Sequence, residues 1–215
     1  MGFTLSAKDY VGYLKTAAQK IGENKDYISQ LDAETGDGDH WFNINLGFEQ
    51  LVAAAQELSA LPMDAAFQKI GMIMMSKIGG SSGILYGGAY MAAGKAIKGK
   101  EVIGSEDLCL SLNAMVQDMM NRGKAQPGYK TMIDALYPAV EAYKQALAAG
   151  KSDEETLKLV AEAAVQGAES TRAMEAVKGR ASYQSDKGVG HLDPGAVTMS
   201  YQIECLCHYI QQHLL

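Results

Sequence analysis

The sequence has no surplus of positive charge: Lys and Arg number 19 against 25 Asp and Glu, a formal net charge of −6. A chain that grips nucleic-acid backbones needs a basic face, so no nucleic-acid partner is expected. A phosphate ligand stays open, because metal ions and helix N-termini supply positive charge locally. No run approaches the roughly 18 apolar residues of a membrane span, and no membrane partner is expected. The stretch MGFTLSAKDY lacks the charged start and apolar core of a secretory signal, so a cytoplasmic location is the expectation. Cysteine is scarce: Cys109, Cys205 and Cys207 form an odd set without zinc spacing and read as small apolar side chains in helices. Period-two alternation is missing, and Ala and Met are abundant where Val, Ile and Thr would mark strands. No Walker A motif exists either. The nearest candidate, at Gly94 and Lys95, has Ala89 and Ala96 where glycine and a hydroxyl are required.

What remains is 47% apolar residues in a soluble, helix-forming pattern. Ser6 and Asp9 resemble a capping box, after which Tyr10, Val11, Leu14, Ala17 and Ile21 recur at helical spacing. Further helices are expected at about 42–58, 63–77, 82–98, 105–123 and 131–149. A seventh starts at Ser152, where Glu155 closes a second capping box. The last has Asp193 as N-cap and Pro194 at its first position. Eight helices with short connections predict one all-α domain spanning residues 1–215, an antiparallel bundle or barrel.

The loops carry the information. Residues 32–40, 79–83, 123–130 and 179–194 break the helical pattern with residues that a connector would not need. They follow helices one, three, five and seven of an up-and-down arrangement, so all four fall at the same end. LDAETGDGDH places Asp32, Glu34, Asp37 and Asp39 within eight residues. Two carboxylates about 5 Å apart repel by roughly 3 kcal/mol at an effective dielectric near 20, unless a cation lies between them. Hard carboxylate oxygens suit Mg²⁺, which keeps positions free for water and phosphate. A plain surface turn is the competing reading, since Asp and Gly are ordinary turn residues. The EF-hand pattern does not fit.

In KIGGSSGILYGG, Gly79, Gly80, Ser81, Ser82 and Gly83 stand where a helix begins, an anion site by virtue of free N–H groups, or simply a flexible turn. RGKAQPGYKTM offers Gly123, Lys124, Lys130, Thr131 and Met132, with both lysines reading as a solvated basic loop. KGRASYQSDKGVGHLDPG supplies Lys178, Arg180, His191 and Asp193; Arg180 is a plausible partner for phosphate. His40 and His191 are candidates for a general base or ligand, against the commoner structural role of a lone histidine.

Taken together the four loops resemble the nucleotide-binding L subunits of bacterial dihydroxyacetone kinases, in order and spacing, over about residues 25–200. The matching stretches are LDAETGDGDH followed by Asn43 and Asn45, then GGSSGILYG, RGKAQPGYKTM, and ESTRAMEAVKGRASY running into GHLDPGA. The resemblance implies a barrel of eight antiparallel helices with a nucleotide site at one end. It implies that Asp32, Asp37 and Asp39 hold two Mg²⁺ ions bridging the phosphates of ADP or ATP. The nucleotide contacts it implies are His40, Trp41, Phe42, Asn43, Ser81, Ser82, Gly123, Met132, Arg180 and the Asp193-Pro194-Gly195 turn. Arg180 and His40 are the candidates for a catalytic contact. A separate K subunit would carry the ketose, and a phosphohistidine M subunit of the phosphotransferase system is a further possible partner, recharging bound ADP. Trp41 stands where that family commonly has glycine, Tyr129 replaces an aspartate, and Ser81 an alanine. The rival reading is a nucleotide-bound module, without turnover, that regulates a partner such as a transcription factor.

Overall fold

Ser6 does two things at once. Its backbone closes a two-residue antiparallel ladder, β1 (Leu5–Ser6) against β2 (Val102–Ile103), with Leu5 opposite Ile103. Its side chain caps helix α1 (Ala7–Glu23): the Asp9 amide donates to Ser6 Oγ, and the Ser6 amide donates back to Asp9 Oδ2. The capping box is as read from sequence. The ladder is not, because two residues cannot display a period of two.

The computed structural model describes residues 2–215 and is all-α apart from that ladder. After α1 come α2 (Lys25–Thr35), α3 (His40–Ala53), α4 (Ala55–Ser59), α5 (Met63–Lys77), α6 (Gly80–Ala96), α7 (Ser105–Gly123), α8 (Ile133–Ala148), α9 (Asp153–Ser170) and α10 (Pro194–His213). Ten segments stand where eight helices are expected, and the hydrogen bonds explain the difference. The Asn24 amide donates to Lys20 O and the Ile28 amide to Asn24 O, so α-type bonding runs across the α1–α2 break. The Ala54 amide donates to Gln50 O and the Leu58 amide to Ala54 O, carrying α3 into α4 in the same way. Eight rods remain, two of them bent. Asp32 to Thr35, expected as loop, form the last turn of α2.

The capping signals at Ser152/Glu155 and Asp193/Pro194 are borne out. Small residues let the rods approach closely. A Cβ on Gly71 of α5 would stand 2.7 Å from the Gly87 carbonyl oxygen of α6, so these two backbones pack nearly in contact. Helix α10 packs on α1, α2, α8 and α9 and is buried on most of its circumference, as its apolar composition requires. Tyr10, Phe67 and Tyr90 meet edge-to-face, with the Tyr10 and Tyr90 hydroxyls 3.1 Å apart. This aromatic knot lies ten residues, about 15 Å of helix, from the start of α6. The core cluster continues from this knot to the loop end, where Met119, Met132 and Ile133 belong to it. Among the described residues no helix is long and apolar enough to cross a membrane.

Candidate functional site

All four expected loops open into one cleft of about 510 Å³, within the range of small-molecule sites. Its acidic wall comes from the α2–α3 turn. Asp39 is the N-cap of α3, yet its carboxylate makes no capping bond. Asp32, at the end of α2, does that work instead: the His40 amide donates to Asp32 Oδ2 at 2.9 Å. Glycine at residue 36 lets the Asp32 carboxylate keep this place, because a Cβ there would overlap Asp32 Oδ1. The turn brings one oxygen each of Asp32, Asp37 and Asp39 within 4.8 Å of one another; Asp32 is buried, the other two exposed. Glu34, the fourth acid of the run, faces elsewhere and pairs with His191 Nδ1 at 2.9 Å, a contact that holds its carboxyl below the usual range.

Across the cleft α6 begins. Its N-cap is Gly79, and no side chain caps it, so its first amides stay open beside Ser81 and Ser82. Asn43 reaches over from α3 to lie against Gly79. The start of α10 forms the floor with Asp193, Pro194 and Gly195; Asp193 caps that helix through the Ala196 amide at 2.7 Å. Burial pushes the Asp193 carboxyl up to about 7. Three helix N-termini, those of α3, α6 and α10, therefore converge on the same space, and each favours an anion. The remaining wall is apolar: Leu85 of α6, Met119 of α7, and Met132 and Ile133 at the start of α8. Gly123 borders this wall at the end of α7.

Arg180 lies in the cleft, its Nη2 2.6 Å from Asp37 Oδ2. The His40 ring also lines the cleft, but its Nε2 is 2.9 Å from Thr198 Oγ1 on α10, and burial keeps its pKa below the ordinary value. It is a neutral, anchored group. Two expected residues are placed otherwise. The Trp41 indole donates to Ile21 O at 3.0 Å under the Lys25 ammonium, turned toward the α1–α2 bend. Phe42 is exposed and does not line the cleft.

Lys130 overturns its sequence reading. Expected in a solvated loop, it is 2% exposed, and its Nζ donates to the carbonyls of Thr171 at 2.6 Å and His191 at 2.5 Å. No local pattern signals this, since both acceptors are backbone atoms more than forty residues downstream. Leu85, Met119 and Ile133 were missed for a different reason: they occupy ordinary apolar positions of a helical repeat and differ only in facing the cleft.

Set against known proteins, the chain matches the DAK2 domain over residues 34–208. It is 32% identical over 203 residues to the PEP-dependent dihydroxyacetone kinase, ADP-binding subunit DhaL, of Escherichia coli (strain K12), covering 94% of this chain and 97% of that one. It is 39% identical over 184 residues to the corresponding ADP-binding subunit of kinase 1 from Listeria innocua, covering 86% and 87%. Among solved structures, the dihydroxyacetone kinase from C. freundii in complex with AMP-PNP and Mg²⁺ superposes with a TM-score of 0.70 at 26% identity, over 92% of this chain and 33% of that one. With the match spanning most of the bundle and the four loops from Glu34 onward, the chain belongs to the DAK2 domain family.

Proposed function

We propose that this chain is the nucleotide-binding subunit of a dihydroxyacetone kinase, or of a kinase for a related short-chain ketose. The observation that carries the reading is the meeting of Asp32, Asp37 and Asp39 in one cleft with the uncapped start of α6. The donor set fits Mg²⁺: three hard carboxylates close together and no soft ligand among them. When bound, Mg²⁺ neutralises polyphosphate charge. Two ions suit the site, because three carboxylates and a polyphosphate carry more negative charge than one divalent cation offsets.

The protein's own groups do the rest. The α6 amides and the Ser81 and Ser82 hydroxyls hold phosphate oxygens, and the apolar wall of Leu85, Met119 and Ile133 accepts the base. Arg180 supplies positive charge where phosphoryl transfer develops negative charge. His40, neutral and bonded to Thr198, orients rather than abstracts a proton. His40, the imidazole that lines the cleft, is held by Thr198 Oγ1, and the Lys130 ammonium by two backbone carbonyls, which supports a separate K subunit as carrier of the acceptor. The name of the E. coli relative, PEP-dependent, supports recharging of bound ADP by a phosphohistidine protein.

The test mixes the chain with a K subunit, dihydroxyacetone, Mg²⁺ and either ATP or a phosphoenolpyruvate-driven phosphohistidine chain. Product is expected under one of the two conditions. Folded protein that binds Mg·ADP and transfers nothing in either would overturn the kinase reading in favour of a binding module.

A further inference from the structure

Residues 171–191 leave the bundle at the end of α9 and return just before α10, carrying Arg180 at their tip. The two ends of this loop are held side by side. The Gly190 amide donates to Arg172 O at 2.8 Å, and the Asp193 amide donates to Thr171 Oγ1 at 3.0 Å. Between them lies the Lys130 ammonium, bonded to one carbonyl from each end, Thr171 and His191.

The cost of this placement argues for a purpose. Lys130 has a positive φ of 60°, which a residue with a side chain adopts only when its surroundings enforce it. A buried ammonium must find acceptors for its protons, and two carbonyls provide them. Room for the side-chain stem is made by Gly188 in the loop itself, where a Cβ would approach Lys130 Cε to 3.2 Å. Tyr129, the preceding residue, accepts a bond from the Val177 amide at 3.2 Å, so the loop touches this corner twice. At the far side of the same loop Arg180 reaches Asp37.

We infer that Lys130 is a positioning residue: its buried ammonium clasps the neck of the 171–191 loop and thereby fixes where Arg180 stands over the cleft. The inference rests on the reading of the cleft as a nucleotide site. It assigns to the third loop a role exerted through the fourth, with no required contact between Lys130 and the ligand.

Hydrogen exchange on the ligand-free wild type tests the clasp itself. The amides of Gly190 and Asp193 are expected to be protected, and Lys130→Met to lose that protection while the helices keep theirs. Unprotected neck amides in the wild type would overturn the inference, and this arm decides even where Lys130→Met does not fold. Calorimetry with Mg·ADP tests the route. Lys130→Met is expected to bind several-fold and up to about tenfold more weakly, a loss no larger than that of removing Arg180 itself. The double variant Lys130→Met/Arg180→Ala is expected to bind no worse than Arg180→Ala alone. Unchanged binding in Lys130→Met, or losses that multiply in the double variant as a direct ligand contact would give, overturns the proposal. A wild type that ignores Mg·ADP but protects its neck amides would instead remove the nucleotide reading and leave the clasp standing.

Discussion

Arg180 Nη2 stands 2.6 Å from Asp37 Oδ2, so the only arginine in the fourth loop's tip is paired with a carboxylate assigned to a cation. The side chains are 66% and 40% exposed, and the pair contributes little to stability. Its consequence lies in binding, because the guanidinium competes with a metal ion for one oxygen. Arg180→Ala is therefore expected to bind Mg²⁺ alone a few-fold more tightly, and Mg·ADP about tenfold more weakly through loss of a charge-assisted contact. Titration calorimetry with and without ADP reads both. A weakening of both, or of neither, would show that Arg180 does not exchange a carboxylate for a phosphate.

Sequence made the loop end legible because its chemistry is local. Gly36 and Gly38 around Asp37, the glycine-serine start of α6, and Asp193-Pro194 each announce a turn or a cap within a few residues. The bends at Asn24 and Ala54 are not legible in the same way: α-type bonds persist through both, Gly22 lies inside α1 rather than at the break, and no proline or glycine adjoins Ala54. What depends on distant partners stayed hidden. Trp41 beside the acidic turn reads as a ligand contact until Ile21 O is seen to take its indole N–H. Lys130 reads as solvated until the neck of the 171–191 loop closes over it.

Asp32 and Asp37 are expected to part company on substitution. Asp37 is exposed and makes no bond to the backbone, so Asp37→Asn should abolish Mg-dependent nucleotide binding with unchanged helicity and melting. Asp32 also caps α3 through the His40 amide, and Asp32→Ala should lose binding and, in addition, about 1 kcal/mol of stability. Circular dichroism and urea titration distinguish the two. If Asp37→Asn kept Mg-dependent affinity, the metal assignment would fall.

Trp41 is the chain's one tryptophan, and its side chain is turned from the cleft. Trp41→Phe removes the indole N–H that holds Ile21 O but keeps an aromatic ring under Lys25. The expected result is a small loss of stability, about 1 kcal/mol for one hydrogen bond, with Mg·ADP affinity within a few-fold of wild type. A loss of binding beyond tenfold at unchanged stability would mean that the indole itself touches the nucleotide.

Asp193 predicts a pH dependence whose sign follows from its burial. Its carboxyl is raised from the ordinary 3.8 to about 7 in the folded protein. Between these values the native state holds a proton that the unfolded chain has released, so stability falls as pH rises through the window and levels off above it. Asparagine at this position keeps an acceptor for the Ala196 amide but cannot titrate. The stability of wild type minus that of Asp193→Asn, measured by urea denaturation in metal-free buffer, is therefore expected to fall by about 2 to 3 kcal/mol between about pH 5 and pH 8. A difference that stays flat, or that grows with pH, would mean that the carboxylate is ionised throughout and that the start of α10, with the Lys130 ammonium near it, stabilises the negative charge more than burial opposes it.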